Sequence, residues 1–113
     1  MNFRNPYLSE VEKINLLQRW ILVHSFLYYE LDESIVKDRM FDMDCQQLVK
    51  LVEFMKKKGK TKELKRTRFW YAFDDFDGST GFHLYKRLNE KDKIFIHNQA
   101  LMAYDIYKRR NEK

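Results

Sequence analysis

Apolar residues recur every three or four positions along much of this chain, which is the spacing of one face of an α-helix. The first such stretch begins at Ser9, which stands three residues before Glu12 in the spacing of a capping box. Its apolar positions are Val11, Ile14, Leu17, Ile21 and Leu22. The pattern predicts a helix that continues to about Tyr29.

Three further stretches have the same helical spacing. One begins at Asp38 and is stopped by Gly59, because glycine favours the end of a helix. Another covers residues 61–73, and the last begins at Asn89 and continues to about Arg110. The sequence therefore predicts an all-α fold, a bundle of four or more helices in a single domain spanning residues 1–113.

Length and composition limit the class of protein. The 113 residues are 44% hydrophobic and 16% aromatic, which is enough for one compact core and too little chain for a two-domain enzyme. The single Cys45 excludes an internal disulfide and fits a reducing compartment. Because neither an apolar run long enough for a membrane span nor a signal-peptide pattern is present, we expect a cytoplasmic protein without membrane association.

The positive charge is concentrated in one segment, residues 56–68, which we call the basic segment. It carries eight basic residues and one acidic residue, whereas residues 1–55 have a net charge of −3 and residues 69–113 of +1. Clustered cations attract polyanions, but charge alone carries no sequence specificity. We therefore expect at most weak, non-specific binding of nucleic acid, and a solvated surface remains the alternative. The candidate residues are Lys56, Lys57, Lys58, Lys60, Lys62, Lys65, Arg66 and Arg68.

The most informative segment is residues 28–42, where aromatic and acidic side chains surround a short loop between two predicted helices. Tyr28 and Tyr29 end the first helix, while Asp38, Phe41 and Asp42 lie in the first turns of the second. Closure of this helix-loop-helix would place aromatic rings opposite each other with carboxylates at the rim. Such a slot suits a flat cationic heterocycle such as oxidised nicotinamide. The alternative is that the rings belong to the core and the carboxylates favour the helix dipole.

This segment resembles the N-terminal Ia domain of bacterial NAD-dependent DNA ligases. It reads Tyr-Tyr-x-Leu-Asp-x-Ser-x-Val-x-Asp-x-x-Phe-Asp, and the resemblance covers about residues 14–55. In that family the domain binds the nicotinamide mononucleotide (NMN) half of NAD. The resemblance implies that Tyr28 and Phe41 flank the nicotinamide and that Tyr29 lies toward the ribose phosphate. It also implies that Asp38 and Asp42 bind the ribose and the carboxamide.

The chain departs from the family pattern at three positions. Ser34 replaces the loop proline, Phe41 replaces a tyrosine, and Tyr29 stands where many members have histidine. Residues 69–113 diverge from the family, and the nucleophile motif Lys-x-Asp-Gly of the ligase adenylation domain does not occur. The ligase reaction is therefore excluded.

Other chemistry finds little support in the sequence. The three histidines and Cys45 lack the spacing of a zinc site, and the cluster Asp74, Asp75 and Asp77 before Gly78 lacks the pattern of a calcium loop and predicts a turn. Cys45 lies on the apolar face of its helix, where thiols are generally inert. A small hydrolase acting on NAD through Asp38 or Asp42 would need a second acid or base that the segment does not supply. We expect no metal site and no catalytic residue.

The preferred interpretation is therefore a non-catalytic protein that binds NMN, NAD or a related ADP-ribose compound and requires no cofactor. The abundance of Lys, Tyr and Phe suggests an AT-rich genome, which favours a phage accessory or counter-defence role. The alternative is an interaction protein without a pocket, an inhibitor or adaptor that uses the helical scaffold and the basic segment to bind a host protein or nucleic acid.

Overall fold

The computed structural model describes residues 8–33, 38–78 and 84–111, and within these ranges the chain forms helices and turns without a β-strand. The all-α prediction is confirmed. The helices are α1 (Glu10–Ser25), a π-helical turn (Phe26–Glu30), α2 (Asp38–Lys57), α3 (Thr61–Lys65), α4 (Trp70–Phe73), a 3₁₀ turn (Tyr85–Arg87) and α5 (Glu90–Asn111).

Helix α1 forms the centre of the fold and packs against both α2 and α5. Its predicted capping box is present: the Ser9 Oγ accepts from the Glu12 amide at 3.2 Å, and the Ser9 amide donates to Glu12 Oε1 at 3.4 Å. Most of the apolar face of α1 is buried in the core that it forms with α2 and α5. Its core residues include Ile14, Leu17, Ile21 and Leu22.

The helix predicted to continue to Tyr29 does so, but its last turn is π-helical. The chain then leaves the helix at Asp32, which adopts a left-handed φ of 54°, and the Glu33 amide donates to the Leu27 carbonyl at 2.7 Å. Asp tolerates this conformation better than most residues other than glycine. The Tyr104 hydroxyl of α5 hydrogen-bonds the Glu33 carboxylate, which raises the pKa of Tyr104 and ties α5 to this turn.

The prediction of one helix over residues 61–73 is wrong, because residues 66–69 interrupt it and leave α3 and α4 as separate short helices. The buried Thr67 explains the interruption. Its hydroxyl donates to the Leu64 carbonyl at 2.7 Å and accepts from Gln18 Nε2 of α1 at 3.0 Å. Contacts with α1 therefore hold the chain in a non-helical connection, as tertiary contacts commonly override local propensity.

The other predicted helix boundaries are confirmed. Gly59 follows α2 with a φ of +72°, and Asn89 caps α5 because its Oδ1 accepts from the Asp92 amide at 2.8 Å. None of the helices within the described ranges is long and apolar enough to cross a membrane.

Gly59 and Gly78 both adopt a positive φ, but only Gly78 is crowded by neighbouring side chains. Gly78 has a φ of +88°, and a Cβ there would lie 2.8 Å from Gln46 Nε2, which donates to the Gly78 carbonyl. We expect Gly78→Ala to lower the free energy of unfolding by about 2 kcal/mol, because backbone strain and steric overlap act together. Gly59→Ala is the matched control: its φ is also positive, but nothing lies within 4 Å, so we expect about 1 kcal/mol. Urea denaturation measures both, and equal losses would contradict the steric contribution.

Candidate functional site

Three of the five residues expected to bind nicotinamide have described side chains, one in the π-helical turn that follows α1 and two in the first turns of α2. Tyr28 lies in the π-helical turn with 42% of its surface exposed, Phe41 is half-buried near the start of α2, and Asp42 is exposed. The side chains of Tyr29 and Asp38 lie outside the part of the structure that is described. A π-helical turn at this position is notable, since such turns often occur at functional sites.

Phe41 is anchored to α1 through a buried histidine. Its ring centroid lies 6.3 Å from that of His24 in an edge-to-face arrangement, and the His24 ring in turn contacts Trp20 at 4.0 Å. Part of the Phe41 ring packs against the core. Phe41 therefore holds α2 against α1, and only its exposed part is accessible to a ligand.

The spacing of the histidines predicts only that His24 is not part of a zinc site, and the structure gives it an unusual environment. The side chain is 3% exposed, and its Nε2 has no hydrogen-bond partner among the residues that the structure describes. Burial disfavours the charged form and lowers the pKa of His24 from 6.5 to about 4. The imidazole is therefore neutral at pH 7.

Asp42 lies on the opposite side of α2 from the core, in a groove of about 510 Å³. The groove follows one face of α2, and its lining contains positively charged, negatively charged and amide side chains. Its lining residues are Arg39, Asp42, Met43, Gln46, Gln47 and Lys50. Phe41 and Tyr28 do not line this groove. Asp42 can therefore bind a cationic group there without competing with the packing of Phe41.

All eight residues of the predicted polyanion-binding set are exposed, but their side chains contact different parts of the protein. Lys56 lies 5.8 Å from the centroid of the Trp70 ring, and Lys58 lies 4.4 Å from that of Phe54. Arg66 and Arg68 face a separate cavity that also contains Arg19 of α1. Arg19 lies far away in sequence, and no local pattern could have associated it with the basic segment.

Two further side chains singled out in the sequence, Cys45 and Asp75, have structural roles. Cys45 is buried as expected, and burial together with Asp42 and Asp44 raises the pKa of its thiol to about 12, which keeps it protonated at neutral pH. Asp75 of the predicted turn forms an ion pair with Arg87.

No cluster of three or more potential metal ligands occurs within residues 8–33, 38–78 and 84–111. Among the aromatic residues near the basic segment, Tyr71 is partly exposed, and its hydroxyl donates to Asp92 Oδ2 at 2.5 Å. Burial and this hydrogen bond raise the pKa of Tyr71.

The resemblance of residues 14–55 to the ligase domain rests on the residue pattern of the two helices and their loop. Comparison of the whole chain with protein-family models, with curated proteins and with solved structures gives no match.

Proposed function

We propose that the chain binds a nicotinamide nucleotide, NMN, NAD or a related ADP-ribose compound, at the junction of α1 and α2, without catalysing a reaction. The observation that carries the proposal is that Asp42, which the resemblance assigns to the ligand, is exposed in a groove on α2. Tyr28, which the resemblance assigns to the same ligand, is exposed in the π-helical turn that follows α1. The half-buried Phe41 packs against His24 of α1 and so ties the two helices together. An aromatic ring and a carboxylate are the groups that attract a cationic ring.

The charge pattern of the α2 groove supports the same ligand class. Asp42 shares this groove with Arg39 and Lys50, and the carboxylate has no hydrogen-bond or ion-pair partner among the described residues. Lys50 lies two turns beyond Asp42 on the same helix, about 12 Å away along its axis. A nicotinamide nucleotide has a cationic ring and an anionic phosphate. The Asp42 carboxylate complements the ring, and the Arg39 and Lys50 cations complement the phosphate.

Replacement of Asp42 by Asn tests the proposal. The change is nearly isosteric and weakens a charge-assisted hydrogen bond, so we expect the affinity for nicotinamide riboside to fall by one to two orders of magnitude. Nicotinamide riboside is the best probe because it has the cationic ring and the ribose but no phosphate. Isothermal titration calorimetry with this ligand, NMN and NAD measures the change.

Glu53→Gln is the matched control, since it removes an exposed carboxylate from the same helix three turns further on. We expect this variant to bind as the wild type does. Undiminished affinity in a folded Asp42→Asn variant, or no binding of nicotinamide riboside by the wild type, would contradict the proposal.

A second candidate function, binding to a partner protein, is favoured by the exposed apolar residues of α5. Leu101, Met102, Ile106 and Tyr107 are each at least 39% exposed in the second half of this helix. Apolar side chains exposed together are typical of interaction surfaces. The two candidates differ in their critical residues: Ile106→Glu would disrupt partner binding and leave the affinity for nicotinamide riboside unchanged.

A further inference from the structure

A cavity of about 330 Å³ lies on the side of α1 that faces the 66–69 connection and α5. Its polar lining is formed by three arginines and one asparagine, and its apolar lining by two phenylalanines and a leucine. The lining residues are Asn15, Leu16, Arg19, Arg66, Arg68, Phe69 and Phe95. No carboxylate is among them, so the cavity concentrates positive charge.

Arg68 is held in place by groups on α5. Its Nε and Nη2 donate to Asp92 Oδ1 at 3.2 and 3.0 Å, and its guanidinium carbon lies 4.0 Å from the centroid of the Phe95 ring. The Arg68 amide also donates to Asn15 Oδ1 at 3.3 Å. These contacts hold the Arg68 guanidinium in one position. A guanidinium has five N–H groups, so Arg68 still has donors available for a ligand.

The other two arginines are not paired within the described residues. Neither Arg19 of α1 nor Arg66 has an ion-pair or hydrogen-bond partner for its side chain there. Asp92 neutralises only Arg68, so the cavity keeps a net charge of about two. Asn15 accepts the Arg68 amide with its oxygen and therefore has its NH₂ group available as a further donor.

We propose that this cavity is a binding site for a phosphomonoester, with Arg19, Arg66 and Arg68 contacting the phosphoryl oxygens. Planar guanidinium groups bind phosphate through paired hydrogen bonds, and the two unpaired arginines match the charge of a phosphate dianion. The site is independent of the proposed nicotinamide site, because it uses α1, the 66–69 connection and α5 and none of the residues assigned to nicotinamide.

The cavity walls indicate which part of the ligand is recognised. The Phe95 ring is already covered by the Arg68 guanidinium, so it is not open for stacking with a base. A volume of about 330 Å³ is at the small end of ligand sites, and accommodates a phosphoryl group with its sugar. We therefore expect recognition of the phosphoryl group, and little discrimination between bases.

Calorimetry with adenosine monophosphate and with adenosine tests the site. We expect the wild type to bind the monophosphate and to bind adenosine at least tenfold more weakly. Arg66→Gln is expected to weaken binding of the monophosphate about tenfold, and Arg19→Gln with Arg66→Gln together about a hundredfold. Arg66 is exposed, so the single variant should fold, which circular dichroism verifies.

Lys62→Gln is the matched control, because it removes one exposed positive charge from the basic segment without touching the cavity. We expect it to retain the wild-type affinity. Equal losses in Lys62→Gln and Arg66→Gln would overturn the proposal in favour of a diffuse charge effect. Equal affinities for adenosine and its monophosphate would overturn it as well.

Short single-stranded oligonucleotides with and without a 5′-phosphate identify the source of the phosphoryl group. Stronger binding of the phosphorylated oligonucleotide, lost in Arg66→Gln, would support the site and assign it to a nucleic acid end. Binding of the mononucleotide alone would support the site and assign it to a small molecule. Equal binding of both oligonucleotides, with no binding of the mononucleotide, would overturn the proposal.

Discussion

Lowering the pH from 7 to 5 is expected to reduce the free energy of unfolding by about 2 kcal/mol through His24 alone. The pKa of this buried imidazole is about 4 in the folded protein and 6.5 in the unfolded chain. Between these values only the unfolded chain binds the proton, so stability falls as the pH falls, by about 1.36 kcal/mol per pH unit. The contribution is fully present above pH 6.5 and fully lost below pH 4, where the loss reaches roughly 3 kcal/mol.

Urea denaturation at several pH values, compared between the wild type and His24→Leu, measures this effect. The leucine variant removes the titrating group and fills the space between Trp20 and Phe41, so we expect its stability to change much less over the same pH range. His97→Gln serves as a control background, because His97 is exposed and lies outside the contacts of His24, and we expect His24→Leu to change the pH profile equally with and without it. Parallel pH profiles for the wild type and His24→Leu would show that the histidine is not buried as the structure has it.

Features determined by neighbouring residues were predictable from the sequence. The capping box of Ser9 and Glu12, the stop at Gly59 and the cap at Asn89 each depend on residues within a few positions of one another. The buried face of α1 followed from apolar spacing. Local chemistry therefore predicted the boundaries of α1, α2 and α5.

Features determined by contacts between distant segments were not predictable. The interruption at residues 66–69 depends on the hydrogen bond from Gln18 to Thr67, which joins positions 49 residues apart. The association of Arg19 with Arg66 and Arg68 depends on the same packing of the connection onto α1. No periodicity within residues 61–73 carries this information, because the pattern there is compatible with a continuous helix.

The candidate nicotinamide site lies between these two cases. The positions of Tyr28 at the end of the first helical segment and of Asp42 in the first turns of α2 agree with the predicted helix ends, but Tyr28 does not line the groove that contains Asp42. The packing of Phe41 against His24 required the structure, because the spacing of α2 does not show which neighbour of α1 the ring meets. The same geometry makes Asp42, and not Phe41, the better position for testing ligand binding without loss of the fold.

Asp92→Ala is expected to lower the free energy of unfolding by about 3 kcal/mol, the second large effect that the structure implies. The carboxylate is 7% exposed and accepts hydrogen bonds from Arg68 and from the Tyr71 hydroxyl, each charge-assisted and worth about 1.5–3 kcal/mol. Arg68 is 44% exposed on its side chain, so water compensates part of the loss, and the expected total is smaller than the sum.

Asp75→Ala provides the comparison that separates burial from charge. Asp75 also pairs with an arginine, Arg87, but its side chain is 66% exposed, so we expect a much smaller loss of stability than in Asp92→Ala.

Tyr71→Phe adds a second test, because the Tyr71 hydroxyl links Asp92 to the Asn89 amide at 3.2 Å. The losses from Asp92→Ala and Tyr71→Phe should therefore be non-additive by about 1 kcal/mol. Strictly additive losses, or equal losses in the two aspartate variants by urea denaturation, would contradict a shielded network that fixes the 66–69 connection to α5.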